Sequence, residues 1–290
     1  MPRQARWKED DIVDGVGVVR LSSWKYFTDY IYQQMLDYKT YIWRGQRCSH
    51  WELTSTLDRI ITKSKIAETK RGDFATNHLE QFKYATRGRR GENPAQIDSE
   101  NNWWALGQHH GLATPLLDWT TSPFVAAYFA FIGTDPKQTR HRAVFALHRP
   151  SVEKAVRKLK TQKERENKAE LKAHYNGTKR IGNALRLAML DAPVKPEVEF
   201  IRPMSDENKR LVNQGGLFTR SPISQSLERW IQRNFGGEND YTLMKILIPD
   251  KDREMCLRIL NRMNINHLTL FPDLFGASKY CNIYAEIDKY

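Results

Sequence analysis

The chain has 290 residues, of which 40% are hydrophobic and 28% charged, and its formal net charge at pH 7 is +12. A chain of this length can bury a substantial core in one large domain or two small ones. The excess of lysine and arginine favours an anionic substrate or partner, such as a nucleotide, a nucleic acid or an acidic protein surface. Three widely spaced cysteines without a C-x-x-C pair argue against a disulfide framework and against a zinc knuckle.

Three features of the sequence predict the cellular compartment of the protein. The segment 1–11 is charged and lacks the apolar stretch of a signal peptide. The most apolar run, 124–133, is too short to span a bilayer. Together with cysteine usage typical of a reducing environment, these features predict a cytoplasmic protein with no membrane contact.

The first half of the chain predicts short helices and strands. Ser22 or Ser23 is placed to cap a helix with Trp24, Phe27, Ile31 and Met35 at helical spacing, so 1–40 is predicted as a helical lead-in. Tyr41-Ile42-Trp43 is predicted as a strand that delivers Arg44 and ends at Gly45. The next predicted elements are helices over 55–61 and 103–111, an extended segment over 115–119, and a helix from Pro123.

The second half continues this alternation. The predicted strands are 143–147, 198–202 (bracketed by Pro196 and Pro203), 217–219, 241–248 and 267–271, and the predicted helices are 151–179, 183–190, 226–235 and one after Asp250 or Asp252. We therefore predict one α+β domain over 41–290 with a mixed or antiparallel sheet and a charged helical insertion at about 151–192. The short, irregularly spaced strands argue against a doubly wound parallel sheet.

Candidate site residues concentrate between 103 and 131, where Gln108, His109, Asp118, Thr120 and Thr121 lie among aromatic and small residues. The sequence contains no G-x-G-x-x-G after a strand, no P-loop, no H-E-x-x-H and no G-x-S-x-G. This pattern favours a site built from arginine, hydroxyls, aromatic rings and carboxylates, and we expect no metal.

Plainer roles stay open for several of these residues. Arg44 could be a surface arginine paired with an acid such as Asp118, and Asp118 could cap a turn. Thr120 or Thr121 could be the N-cap of the helix from Pro123, and Trp119 is the best candidate for stacking on a ligand.

Several motifs of this chain closely resemble the FRG-domain family. They are the aromatic residues before Arg44-Gly45, QHHGL at 108–112, Thr114, LLDWT at 116–120, AAYFA at 126–130, Arg210, NQGGLFT at 213–219, FPDL at 271–274 and Gly276. Trp43 stands where the family has phenylalanine. The resemblance runs from Tyr41 to Gly276, is weakest over 151–192, and implies a setting in bacterial mobile elements or phage defence.

A second resemblance, to the ADP-ribosyltransferase superfamily, implies a reaction and a split sheet. Arg44 is similar to the arginine that grips an NAD phosphate or ribose, and Thr120-Thr121-Ser122 to the cluster that shapes the nicotinamide pocket. Glu199 or Gln214 would take the third position, which holds a ribose hydroxyl. The binding residues so implied are Arg44, Gly45, Gln108, His109, Asp118, Trp119, Thr120, Thr121 and Tyr128, with NAD as the substrate.

Three functions are therefore open. The first is an NAD-dependent ADP-ribosyltransferase or NAD hydrolase, acting as a toxin or phage-defence effector on a nucleic acid or protein and restrained by an antitoxin or other regulatory partner. The second is a nucleic-acid-binding or nuclease-like protein that uses Arg87, Arg89, Arg90 and the segment 151–179. The third is a non-catalytic nucleotide sensor.

Overall fold

A single mixed sheet organises the molecule. The computed structural model describes residues 5–34, 40–134, 139–177, 184–202, 212–237 and 240–290. Its eight strands are β1 Trp7–Glu9, β2 Val16–Leu21, β3 Tyr41–Gln46, β4 Leu116–Thr120, β5 His141–His148, β6 Glu199–Ile201, β7 Gly216–Arg220 and β8 Leu243–Pro249. They lie in the order β1-β2-β8-β5-β3-β4-β7-β6. The predicted mixed sheet with several helices is confirmed.

Most helices lie near predicted helices, with ends shifted by a few residues, whereas the helices at 71–85, 267–270 and 274–286 were not predicted. Within the described ranges the α-helices are α1 Phe27–Gln34, α2 Thr56–Lys63, α3 Arg71–Ala85, α4 Glu100–His109, α5 Pro123–Phe131, α6 Arg149–Tyr175, α7 Ala184–Asp191, α8 Leu227–Asn234, α9 Arg253–Arg262, α10 His267–Leu270 and α11 Leu274–Glu286. The predicted positions Met35, Lys179, Asn183, Pro203 and Arg210 lie outside the described residues.

Strands β3 and β4 diverge in the middle of the sheet. Strand β3 pairs with β5 along its whole length, from Tyr41↔His148 to Gln46↔Ala143. Its register with β4 has a single residue pair, Trp43↔Thr120. Because the ladder stops after that pair, the strands separate and leave space beside Arg44 and Asp118. The sheet is nevertheless continuous through this residue pair.

Helix α5 packs unusually close to β3. Its buried face carries the small residues Ala126, Ala127 and Ala130. A Cβ atom on Gly45 would lie 1.9 Å from the carbonyl oxygen of Ala126. Only glycine fits at this crossing, which explains why glycine follows Arg44 in the strand.

The N-terminal segment is not the predicted helical lead-in. Residues 1–40 contain strands β1 and β2 ahead of helix α1, and β2 pairs in parallel with β8. Val19 and Leu21 point into the core while Arg20 is exposed, a period of two that marks a strand. The prediction relied on the helical spacing after Trp24 and missed this alternation.

The predicted last strand, 267–271, is wrong. This segment forms the short helix α10, with Asn266 as its N-cap and a reciprocal hydrogen-bonded capping box between Asn266 and Thr269. A short apolar run does not distinguish strand from helix by periodicity, so the cap decides the conformation.

The charged segment after β5 is helical as predicted. It forms α6 and α7, and the predicted stripe on α6 is buried at Val152 and Val156. The other face of α6 is largely exposed and rich in lysine. No helix in the described ranges is both long enough and apolar enough to cross a membrane.

Ser122, rather than Thr120 or Thr121, is the N-cap of α5. Its hydroxyl accepts a hydrogen bond from the backbone N–H of Val125 at 3.4 Å. We expect Ser122→Ala to lower the free energy of unfolding by about 1 kcal/mol in urea denaturation, the usual cost of losing such a cap. Thr121→Ala, at an exposed neighbouring hydroxyl, is the matched control and should stay within about 0.5 kcal/mol of wild type. A larger loss from Thr121→Ala would contradict the assignment.

Candidate functional site

The divergence of β3 and β4 opens a cavity of about 320 Å³. Its walls combine one guanidinium, one carboxylate, a hydroxyl, an amide and several aromatic rings. The lining residues are Trp43, Arg44, Gly45, Asp118, Trp119, Thr120, Ala126, Phe129, Gln214 and Phe271. Six of the predicted site residues therefore meet here: Arg44, Gly45, Asp118, Trp119, Thr120 and Gln214.

Arg44 is a largely buried cation at the cavity wall. Its side chain is 17% exposed, and its Nη1 lies 3.6 Å from Asp118 Oδ2. Nη1 also donates to the backbone oxygen of Asp118 at 2.6 Å, while the buried Nε has no hydrogen-bond partner among the described residues. Burial lowers the pKa of Arg44 from its ordinary value, and the nearby Asp118 carboxylate partly offsets that effect. A buried guanidinium with an unused donor favours an anionic ligand.

Asp118 is held in place from helix α4. Its side chain is 59% exposed. Gln108 Nε2 donates to Asp118 Oδ2 at 2.9 Å, and Thr114 Oγ1 donates in turn to Gln108 Oε1. The sequence had implied that Gln108 binds the ligand. In the structure it does not line the cavity and instead positions the Asp118 carboxylate.

Thr120 links β4 to the segment that precedes β7. Its hydroxyl donates to the backbone oxygen of Gln214 at 2.6 Å and accepts from the Ser122 N–H at 3.1 Å. The side-chain amide of Gln214 donates to the backbone oxygen of Leu270 at 3.2 Å. This chain of hydrogen bonds holds the α10 segment beside the cavity, which Phe271 helps to line.

Aromatic rings form the apolar part of the wall. Trp119 is buried, and its Nε1 donates to Thr219 Oγ1 at 2.8 Å. Phe129 and Phe271 meet edge to face, with ring centroids 6.1 Å apart. A planar apolar group bound in this cavity would contact rings on two sides.

Tyr128 does not line the cavity. It is fully buried in the core, and its hydroxyl forms a 2.6 Å hydrogen bond with His267 Nδ1. Burial lowers the pKa of His267 to about 4, so this imidazole is neutral at pH 7. The implied binding role of Tyr128 is replaced by a structural one, because successive residues of a helix face different sides and its neighbour Phe129 faces the cavity.

Glu199 lies away from the cavity. It sits on edge strand β6, where its register partner is Arg220 on β7, and its carboxylate accepts from Asn101 Nδ2 at 2.8 Å. On the other side of β7, Arg220 is the register partner of Leu116 in β4. Leu116 and Thr120 are at opposite ends of β4, so Glu199 is far from Thr120. Of the two residues considered for the third position, the structure brings only Gln214 to Arg44 and Thr120.

His109 and Thr121 also lie outside the cavity lining. His109 ends α4, where its ring meets that of His110 edge to face at 4.8 Å. Thr121 is exposed, and its backbone N–H donates to the Gly215 oxygen at 3.0 Å. Both residues flank the site instead of forming it.

Four lining residues were absent from the predicted set: Trp43, Ala126, Phe129 and Phe271. The first three lie within motifs that the sequence had singled out. The small residues of AAYFA at 126–130 signal a close helix crossing, and Trp43 immediately precedes Arg44. Phe271 lies in the FPDL motif at 271–274, but that motif did not indicate a place in the cavity, which Phe271 reaches only through the fold of α10.

A larger groove of about 1060 Å³ adjoins the cavity. Arg44, Gly45 and Phe129 line both spaces. The groove also carries the cations Arg47, Arg59, Lys63, Arg71 and Arg229, with Glu52 and Asp58 as its carboxylates. We call it the basic groove. Its excess of cationic side chains favours an anionic group beside the cavity.

The observed site thus combines an anion-binding guanidinium, hydrogen-bonding groups and an apolar pocket. Within the described ranges, no cluster of three or more His, Cys, Asp or Glu side chains is placed to hold a metal ion. Such an arrangement can hold an anionic group beside a planar apolar one.

Part of the chain matches a known family model. The protein is an α+β protein with a phosphate-compatible cavity between two diverging strands. Residues 39–139 match the family model described as FRG domain, which supports the FRG resemblance of the sequence. The match includes Arg44, Asp118 and Thr120 and stops before Gln214. No curated protein and no solved structure matches the chain, and no comparison supports the ADP-ribosyltransferase resemblance.

Proposed function

We propose that the cavity binds the nicotinamide riboside end of NAD and that the protein cleaves its N-glycosidic bond, as an ADP-ribosyltransferase or an NAD hydrolase. The supporting observation is that Arg44, Thr120 and Gln214, which are far apart in sequence, line one cavity. They are the residues that the superfamily resemblance assigns to the phosphate, the nicotinamide pocket and the ribose hydroxyl.

Arg44 is the proposed phosphate ligand. Its guanidinium faces both the cavity and the basic groove, and its Nε is unused among the described residues. A planar guanidinium can donate two parallel hydrogen bonds to a phosphate. The pyrophosphate of NAD would then lie at the junction, with nicotinamide in the aromatic cavity.

Asp118 is the proposed source of negative charge. Gln214 can hydrogen-bond a ribose hydroxyl but carries no charge, whereas Asp118 is the acidic residue among the described residues that line the cavity. As the bond from ribose C1′ to the nicotinamide nitrogen breaks, its electron pair leaves with nicotinamide and positive charge develops on the ribose. A nearby carboxylate stabilises that charge. Water or another nucleophile then bonds to C1′ and loses a proton.

The direct test is nicotinamide release from NAD by the purified chain. We expect Asp118→Asn to lower the rate of release about a hundredfold or more with little change in NAD affinity, because the lost charge acts mainly on the transition state. Glu199→Gln is the matched control and should leave the rate near that of wild type. If Glu199→Gln impaired release as strongly as Asp118→Asn, the assignment of the carboxylate would fail.

The other candidate functions give different outcomes in the same assay. Saturable NAD binding without nicotinamide release by the folded protein would favour a nucleotide sensor. Cleavage of a nucleic acid with no response to NAD would favour the nuclease-like alternative, which the basic groove also suits. A role as a toxin or phage-defence effector, with a regulatory partner, stays a prediction.

A further inference from the structure

We infer that the basic groove binds single-stranded nucleic acid and that this strand is the ADP-ribose acceptor. The first claim, that the groove binds a strand (the binding half), depends only on the groove. The second claim, that this strand accepts ADP-ribose (the acceptor half), rests on the proposed function. In the transfer, a base nitrogen or oxygen bonds to ribose C1′, nicotinamide leaves with the electron pair, and the acceptor atom loses its proton.

The groove and the cavity adjoin each other. Arg44, Gly45 and Phe129 form the shared wall. An acceptor lying in the groove would therefore be next to the cavity that is proposed to hold the ribose. A separate acceptor surface is not required.

The charge of the groove exceeds what NAD alone would need. Six cationic side chains and two carboxylates line it. Arg229 is already paired with Glu52, at 2.7 Å. The pyrophosphate of NAD carries two negative charges, so the remaining cations favour a longer polyanion with regularly spaced phosphates.

The cations of helix α2 are arranged along one face. Arg59 and Lys63 are one helical turn apart, and Thr62 on the same face also lines the groove. The Nε of Arg59 donates to the Ser55 backbone oxygen at 3.4 Å, which leaves the rest of its guanidinium for a ligand. Successive phosphates of a strand could contact these side chains in turn.

An aromatic surface in the groove favours nucleic acid over an acidic peptide. Trp51 is 39% exposed, and the guanidinium of Arg47 lies 5.6 Å from the centroid of its ring. Such paired planar groups stack on bases, and acidic side chains offer no face to stack on. A single strand suits the groove better than a duplex, because bases in a duplex are paired and stacked away from the cavity.

The test is fluorescence anisotropy with labelled single-stranded RNA and DNA of about 16 nucleotides, without NAD. The double variant Arg59→Glu/Lys63→Glu should weaken binding at least about tenfold and reduce the slope of log K against log salt by about 1.4, the contribution of two phosphate contacts on a single strand. Lys168→Glu/Lys172→Glu is the matched control, because these exposed lysines are also one turn apart, on α6. It should bind like wild type.

Three results would overturn the binding half. One is equal strand binding by wild type and the Arg59→Glu/Lys63→Glu variant when thermal melts show that both are folded. The others are a greater loss of binding in the Lys168→Glu/Lys172→Glu variant, and an affinity for duplex DNA or polyglutamate equal to that for the single strand. The acceptor half is tested with labelled NAD and the bound strand. Label on the strand supports it. Nicotinamide release with label only in free ADP-ribose overturns it while leaving NAD cleavage intact, and no release at all counts against the proposed function instead.

Discussion

Nicotinamide release from NAD is expected to fall about a thousandfold when Arg44 is replaced by alanine. Among the described residues, Arg44 is the one cation that lines both the cavity and the basic groove, and it is 17% exposed, so water screens its charge little. Removing it would abolish the proposed pyrophosphate contact at the point where substrate and acceptor meet. We expect a weaker affinity for NAD as well as a slower reaction.

Arg44→Lys separates charge from geometry. Lysine keeps the positive charge but loses the planar fork that matches a phosphate, so the variant should recover part of the affinity and only a small part of the rate. Thermal melts of both variants control for folding, because Arg44 also donates to the Asp118 backbone oxygen. Full activity of a folded Arg44→Ala protein would rule out the phosphate role.

Gly45→Ala is expected to cause the largest loss of stability, about 3 kcal/mol in urea denaturation. The added Cβ would lie 1.9 Å from the Ala126 oxygen and 2.6 Å from the Ala130 nitrogen. Both atoms belong to the backbone of α5, so no side chain can rotate to relieve the overlap, and the helix itself must move. Because Ala126 and Phe129 on α5 line the cavity, NAD affinity should fall with the stability.

Gly72→Ala is the control for Gly45→Ala. Gly72 lies in α3, and a Cβ built there has no neighbour within 4 Å. Alanine favours a helix over glycine by roughly 0.5–1 kcal/mol, so this variant should be slightly more stable than wild type. Equal stability of the two variants would show that the α5 crossing adapts and that Gly45 is not required by packing.

Much of the local structure could be predicted because its signals are local. Ser55 caps α2, Pro123 begins α5, and Gly111 follows the end of α4 with a positive φ of 85°. The same local patterns misassigned two segments. The alternation of β2 is short, and a valine-rich strand there becomes stable only by pairing with β8, more than 200 residues away in sequence. The α10 segment was assigned by its apolar run rather than by its cap.

The sequence by itself determined the mixed α and β composition, the positive charge and six of the residues that meet in the cavity. Those residues stand out because polar groups beside glycine and aromatic residues are unusual in a packed core. Only the tertiary structure decided which candidates face the cavity. In the structure, Gln214 lies beside Thr120 and Phe271 lines the cavity. Glu199 lies on an edge strand away from the cavity, and Tyr128 is buried in the core. The physical reason is that strand register and helix packing set side-chain direction, and both depend on partners that are distant in the chain.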